Sequence, residues 1–174
     1  MIIKIKLIIL ISFYSALSLL AQNATCLRYL DYPQSIFDSD TCCWRLMSAN
    51  DSYTEAADLI KTYLRNHQHI ENRHSLHWHL AQMLAMADQY KEAKANFKKT
   101  YNVFYTWVGG TDGKAWYYYA KGTVAFLDRD KEKFIRLLSK WPSDSLSEKN
   151  YDRMQDLLLH WELTYREACE IVRQ

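Results

Sequence analysis

The sequence predicts an all-α protein, a stack of about three helical hairpins closed by a C-terminal capping helix. Three observations carry this. Between Ser75 and Tyr101, two apolar stripes at helical spacing flank a polar turn at Asp88-Gln89. Leu80, Met83, Leu84 and Ala87 form the first stripe, and Tyr90, Ala93, Phe97 and Tyr101 the second. A second such pair precedes it, because Tyr53-Thr-Glu-Ala56 lies over Tyr90-Lys-Glu-Ala93 at an offset of 37 residues and brings Ile60 onto Phe97. The last stretch shows Tyr151, Met154, Leu158, Trp161, Tyr165 and Ala168 at the spacing of one helix.

In chain order, residues 1–22 read as a signal peptide. Lys4 and Lys6 form a basic start, Leu7 to Leu20 an apolar run, and small residues follow near Ser18 and Ala21. The run is short for a span that needs about 20 residues. The expectation is therefore cleavage and a secreted or periplasmic protein with no stable membrane span. Residues 23–39 contain Pro33 and no sustained period, which predicts an N-terminal arm packing Leu27, Leu30 and Phe37 on the helices. Residues 40–174 form the helical domain.

The first hairpin is expected at Asp40–Ala49, with Cys43, Trp44 and Met47 inward, then from Tyr53 to about Asn66 behind a Ser52-x-x-Glu55 capping box. A third hairpin follows the aromatic, glycine-bearing stretch FYTWVGGTDGKAW. Thr111 or Asp112 is expected to cap its first helix, centred on Trp116 to Phe126, and Asp128 or Asp130 its second. Trp141-Pro142 ends that hairpin, and Ser145-x-x-Glu148 opens the terminal helix.

Composition removes one function class. The chain holds 22 basic and 20 acidic residues, and its signal carries two lysines and no acid, so the mature part is near neutrality. A nucleic-acid partner requires a basic surface to neutralise phosphates. Four cysteines in an exported chain permit disulfides. Cys42 and Cys43 are adjacent and poorly placed to bridge each other, so Cys26 is expected to join one of them and tie the arm to the first helix.

The central hairpin resembles a tetratricopeptide (TPR) repeat. Leu80-Ala81, Leu84, Tyr90, Ala93 and Phe97 occupy the repeat's small-residue and large-residue positions over residues 40–101. His77 stands where the pattern has Trp, Thr100 replaces a later Ala, and no Pro ends the second helix. In the third pair Glu132 or Phe134 must take the place of the pattern's Ala. The resemblance implies a right-handed stack whose first helices line a concave groove, into which Arg45, Trp78, Gln82, Met86, Tyr117 and Lys121 would point. Such a groove suits a protein or peptide partner.

Two other clusters invite chemistry. Five of six histidines fall within 13 residues, and His67, His69, His74 and His77 are the candidates for a Zn²⁺ or Cu²⁺ site; His79 points away from His77. Tyr101, Phe104, Tyr105, Trp107 and Trp116 to Tyr119 crowd the glycine loop, where Trp107 is a candidate carbohydrate contact. Catalytic motifs are missing: there is no His-Glu-x-x-His, no Gly-x-Ser-x-Gly and no phosphate loop. The expectation is a non-catalytic binding or scaffolding module with no cofactor of its own.

Overall fold

A computed structural model describes residues 26–171; the expected signal peptide lies outside them. Among the described residues the chain is all-helical, with no strand. The main elements are α1 (Cys43–Ala49), α2 (Tyr53–Asn66), α3 (Arg73–Met86), α4 (Tyr90–Phe97), α5 (Gly110–Leu127), α6 (Lys131–Leu138), α7 (Glu148–Leu159) and α8 (Tyr165–Ile171). Each of α1 to α4 packs on its neighbour in sequence, as do α5 and α6. Helix α5 also touches α4 and α7, while α8 reaches back to α3. None of these helices is long and apolar enough to cross a membrane.

The same backbone turn ends α1, α3 and α5. Asp51, Asp88 and Arg129 have φ of 59°, 59° and 58°, the left-handed conformation usually given to glycine. In each turn the residue itself donates its N–H to a carbonyl three residues back, on Ser48, Ala85 and Phe126. The next residue donates five back, to Met47, Leu84 and Ala125. This paired closure satisfies two of the orphan carbonyls at a helix C-terminus and aims the chain into the next helix. The first two turns share one further bond, since Tyr53 donates its hydroxyl to Asp51 at 2.8 Å and Tyr90 donates to Asp88 at 2.7 Å.

Small residues let the paired helices approach. Ala56, Ala81 and Ala93 are fully enclosed, beside the equally buried Ile60, Leu84 and Phe97. Counted from its turn, the third hairpin places Gly122 where the second has Ala81, and Phe134 where it has Ala93. Phe134 is therefore the residue that takes the small position, and it is fully buried. A Cβ at Gly122 would lie 2.4 Å from Cε of Met154, so the absence of a side chain there lets α7 dock.

The arm is tied down at several points. A disulfide joins Cys26 to Cys43 across 17 residues, as the cysteine spacing predicts for one of its two alternatives. Phe37 stacks on Tyr63 at 3.8 Å between ring centroids, and Trp44 donates its indole N–H to the Phe37 carbonyl at 3.1 Å. Gln34 exchanges two hydrogen bonds with the Asn72 backbone, of 2.8 and 2.7 Å. Leu27 departs from expectation: it is 59% exposed.

Several boundaries also differ. Helix α1 starts at Cys43 rather than Asp40, because Cys42 is extended. Ser52 makes no side-chain cap, and α7 opens behind Ser147 rather than Ser145, whose Oγ accepts from Ser147 N–H instead, whereas Asn72 accepts from Ser75 N–H and Asp130 from Lys133 N–H. Thr111 and Asp112 lie inside α5, and instead bond Asp144 and the Ser145–Leu146 segment. The expected single terminal helix is two helices, broken after Leu159. Thr164 opens the second with a reciprocal capping box: its Oγ1 accepts from Glu167 N–H at 3.2 Å, and Glu167 Oε2 accepts from Thr164 N–H at 2.8 Å.

Candidate functional site

A cavity of about 370 Å³ lies between the first helices and the C-terminal pair. Helix α1 supplies Trp44, Arg45 and Ser48, and α3 supplies His79, Gln82, Met83 and Met86. The remaining wall comes from Tyr119 on α5, Arg153 on α7, and Tyr165 and Cys169 on α8. Three of the six expected groove residues, Arg45, Gln82 and Met86, therefore share one cavity.

Arg45 is fixed from two sides. Its guanidinium lies 4.2 Å from the centroid of Trp44, and Nη2 is 3.1 Å from Asp38 Oδ1. Asp38 also accepts from Ser75 Oγ at 3.1 Å and stands 3.6 Å from Nε2 of His79. The other ring nitrogen of His79 meets Gln82 Oε1 at 3.3 Å. Burial pushes the pKa of His79 below the usual histidine value; Asp38 opposes that shift and Arg45 reinforces it. Burial likewise raises the pKa of Tyr119 and Tyr165, keeping both phenols as neutral hydrogen-bonding groups.

The other three groove residues are placed elsewhere. Trp78 is buried in an aromatic cluster, 4.7 Å from both Phe97 and Trp116 and 5.1 Å from Tyr119. On α3 it sits one residue, about 100°, from His79, and so faces α5 rather than the cavity. Tyr117 and Lys121 do not line the cavity: Lys121 donates to the Tyr117 hydroxyl at 2.6 Å, and Tyr117 packs edge-on against Tyr101 and Tyr118. The cause is register. The second and third turns are 41 residues apart (88 to 129), so the counterparts of Trp78 and Gln82 are Tyr119 and Thr123, two residues beyond Tyr117 and Lys121.

The histidine quartet does not assemble. Nε2 of His67 lies 2.7 Å from the Leu30 carbonyl and its ring stacks on Tyr63, while Nδ1 of His77 meets Asn96 at 3.0 Å. His74 packs against Trp116, and His69 is exposed. Among the described residues no group of three or more His, Cys, Asp or Glu stands where it could hold a metal ion. The reason is helical geometry: His74 and His77 turn to different neighbours, α5 and α4, and the 67–72 connection turns to the arm.

Cys42 is fully buried, and burial raises its thiol pKa, the opposite of what a nucleophilic thiolate requires. The glycine loop leaves Trp107 81% exposed, with Phe104 and Val108 exposed beside it, whereas Trp116 is anchored by donating to the Thr100 carbonyl at 2.6 Å. Arg153 and Cys169 carry no sequence motif, and Tyr165 is marked only as a core position; they reach the cavity because α7 and α8 fold back over the first helices. His79, set apart from the histidine quartet, lines it from α3. No protein-family model, curated protein or solved structure matches this chain.

Proposed function

We propose that the chain is an exported, non-catalytic TPR-like scaffold that recognises a protein or peptide partner through the face formed by α1 and α3. The observation that carries this reading is the convergence of Arg45, Gln82 and Met86 on one cavity of that face. A cation, an amide and a flexible thioether side by side offer charge, hydrogen bonding and adaptable apolar contact to a partner. The TPR-like part is supported by the threefold recurrence of one turn, at Asp51, Asp88 and Arg129, with the same pair of backbone bonds. Export is supported by the basic and apolar start of the sequence and by the Cys26–Cys43 disulfide. The test is capture of binding partners from the chain's own compartment. Arg45→Glu combined with Gln82→Ala is expected to abolish capture while circular dichroism stays unchanged; undiminished capture removes this face from the reading.

A second reading rests on the exposure of Trp107, whose indole offers a flat face for a sugar ring. It requires Trp107→Ala to lose glycan binding on an array.

A further inference from the structure

The cavity between α1, α3, α7 and α8 contains cationic groups whose bonding is incomplete. Nη1 of Arg153 and Nε of Arg45 are both buried and have no hydrogen-bond partner. Arg153 has no ion pair among the described residues. A buried donor on a charged group that finds no acceptor is costly, so such a site is stabilised by an anion that supplies one. No Asp or Glu lines the cavity. Asp38, the acid paired with Arg45, stands outside the lining and is already engaged by Arg45 Nη2 and Ser75 Oγ. The planar guanidinium matches a carboxylate in shape as well as in charge.

The rest of the wall describes the body of the ligand. Trp44, Met83 and Met86 present apolar surface, and the polar tips of Gln82 and Tyr119 interrupt it. About 370 Å³ lies at the lower end of the roughly 300–1,000 Å³ typical of small-molecule sites. Helix α8 bounds one side of the cavity, because it packs on α3 and Arg166 reaches Asp51 at 3.8 Å. Five helices, α1, α3, α5, α7 and α8, thus contribute to its wall.

We infer that this cavity is a binding site for a compact organic acid, with a carboxylate held by Arg153 and the Nε edge of Arg45 and an aromatic or branched apolar body against Trp44, Met83 and Met86. The inference goes beyond the partner reading, since the ligand is a free small molecule and the site includes α7 and α8.

Calorimetric titration of the purified full chain tests it with three acids: indole-3-acetate, phenylacetate and 3-methylbutyrate. Each is set against the alcohol of the same skeleton, with acetate and inorganic phosphate as bodiless anions. At least one acid is expected to bind at least about tenfold tighter than its alcohol and than either bodiless anion. Arg153→Gln and Arg45→Gln should each weaken that acid about tenfold or more. Lys149→Gln, which removes an exposed charge from the same helix as Arg153, should leave it unchanged. Failure of all three acids to bind below about 1 mM, or equal binding of acid and alcohol, overturns the inference. So does phosphate binding as tightly as the best acid, or a loss in Lys149→Gln equal to that in Arg153→Gln. If an arginine variant fails to fold, the comparison of acid with alcohol on the unaltered chain still decides. Partner capture is a separate readout, so loss of one reading leaves the other standing.

Discussion

The first two hairpins and the third reach the same turn by different packing. In α1–α2 and α3–α4, a small residue is buried on the second helix of each pair, Ala56 and Ala93, next to Ile60 and Phe97. In α5–α6 the second-helix position is large instead: Phe134 is fully buried there, and Gly122 gives up its side chain altogether to make room for Met154 of α7. The turns differ accordingly. Asp51 and Asp88 each take a hydroxyl from the Tyr two residues on, whereas Arg129 sends its guanidinium outward to the carbonyls of Trp161 and Leu163. The regular hairpins each close their turn with a bond of their own, to which α8 adds the Arg166–Asp51 pair on the first, while the irregular one sends its turn residue to the α7–α8 segment that lies on it. A repeat frame therefore tolerates a changed core where a neighbour outside the frame supplies the missing contacts.

Substitution at Phe134 is the most severe way to break this comparison. Phe134→Ala should cost about 3–5 kcal/mol in chemical denaturation, because no nearby side chain is free to refill the space. Ala93→Gly at the corresponding place in the second hairpin should cost only about 1 kcal/mol, mostly through helix propensity. Equal costs would mean that the two hairpins share one packing scheme after all.

Next in size is the disulfide. Replacing Cys26 and Cys43 by Ser opens a closed segment of 17 residues. The chain-entropy relation assigns such a loop about 3 kcal/mol. The loss should be local: hydrogen exchange should quicken in the arm and α1, and remain unchanged in α6 to α8.

These cases also show where sequence is a good guide. Apolar spacing locates α2 and α4 because each buries one stripe, and it locates α3, which is buried on several faces, by its apolar run up to the Asp88-Gln89 turn. It misleads at the C-terminus. Trp161, Tyr165 and Ala168 stay in helical register with Met154 although the helix breaks between them, since all of them face the same core. The local signal for the break is Thr164-x-x-Glu167, a capping box inside an apolar period. The cavity was half legible. Residues on α1 and α3 follow from helix phase, but Arg153 and Tyr165 arrive from more than 60 residues away, and one sequence gives no phase between distant helices. The register of the third hairpin failed for a simpler reason: its turn lies 41 residues after the second, against 37 between the first two, and no local motif marks the added length, so Tyr117 and Lys121 fall two residues out of phase.

The turns offer a smaller test. Asp88→Gly relieves a left-handed residue but gives up the Tyr90 bond, and the two changes should cancel to within about 0.5 kcal/mol. Arg129→Gly gains the same relief yet loses two charge-assisted bonds to backbone carbonyls, for a net loss of about 1 kcal/mol after solvent screening. If Arg129→Gly is as mild as Asp88→Gly, the clasp on the Trp161–Leu163 segment contributes nothing to the third hairpin.

The smallest expected effect separates the two regions by pH. His77 and His79 lie on α3, and burial holds the pKa of both below the usual 6.5. The unfolded chain then binds more protons than the folded one in the window just below that value, so stability declines as pH falls through it. Glu167, at the start of α8, is displaced the other way for its charge type. Bonds from the Thr164 backbone and hydroxyl hold its pKa below the usual 4.5, so the stability it lends is present above that value and declines as pH falls below it. Acidification should therefore loosen the α3 hairpin first and the α8 cap second. Hydrogen exchange followed from pH 7 downward, corrected for intrinsic rates, resolves the two steps. His79→Gln should flatten the upper step alone and Glu167→Gln the lower alone; a single step common to both regions would mean that the two halves of the molecule unfold as one unit.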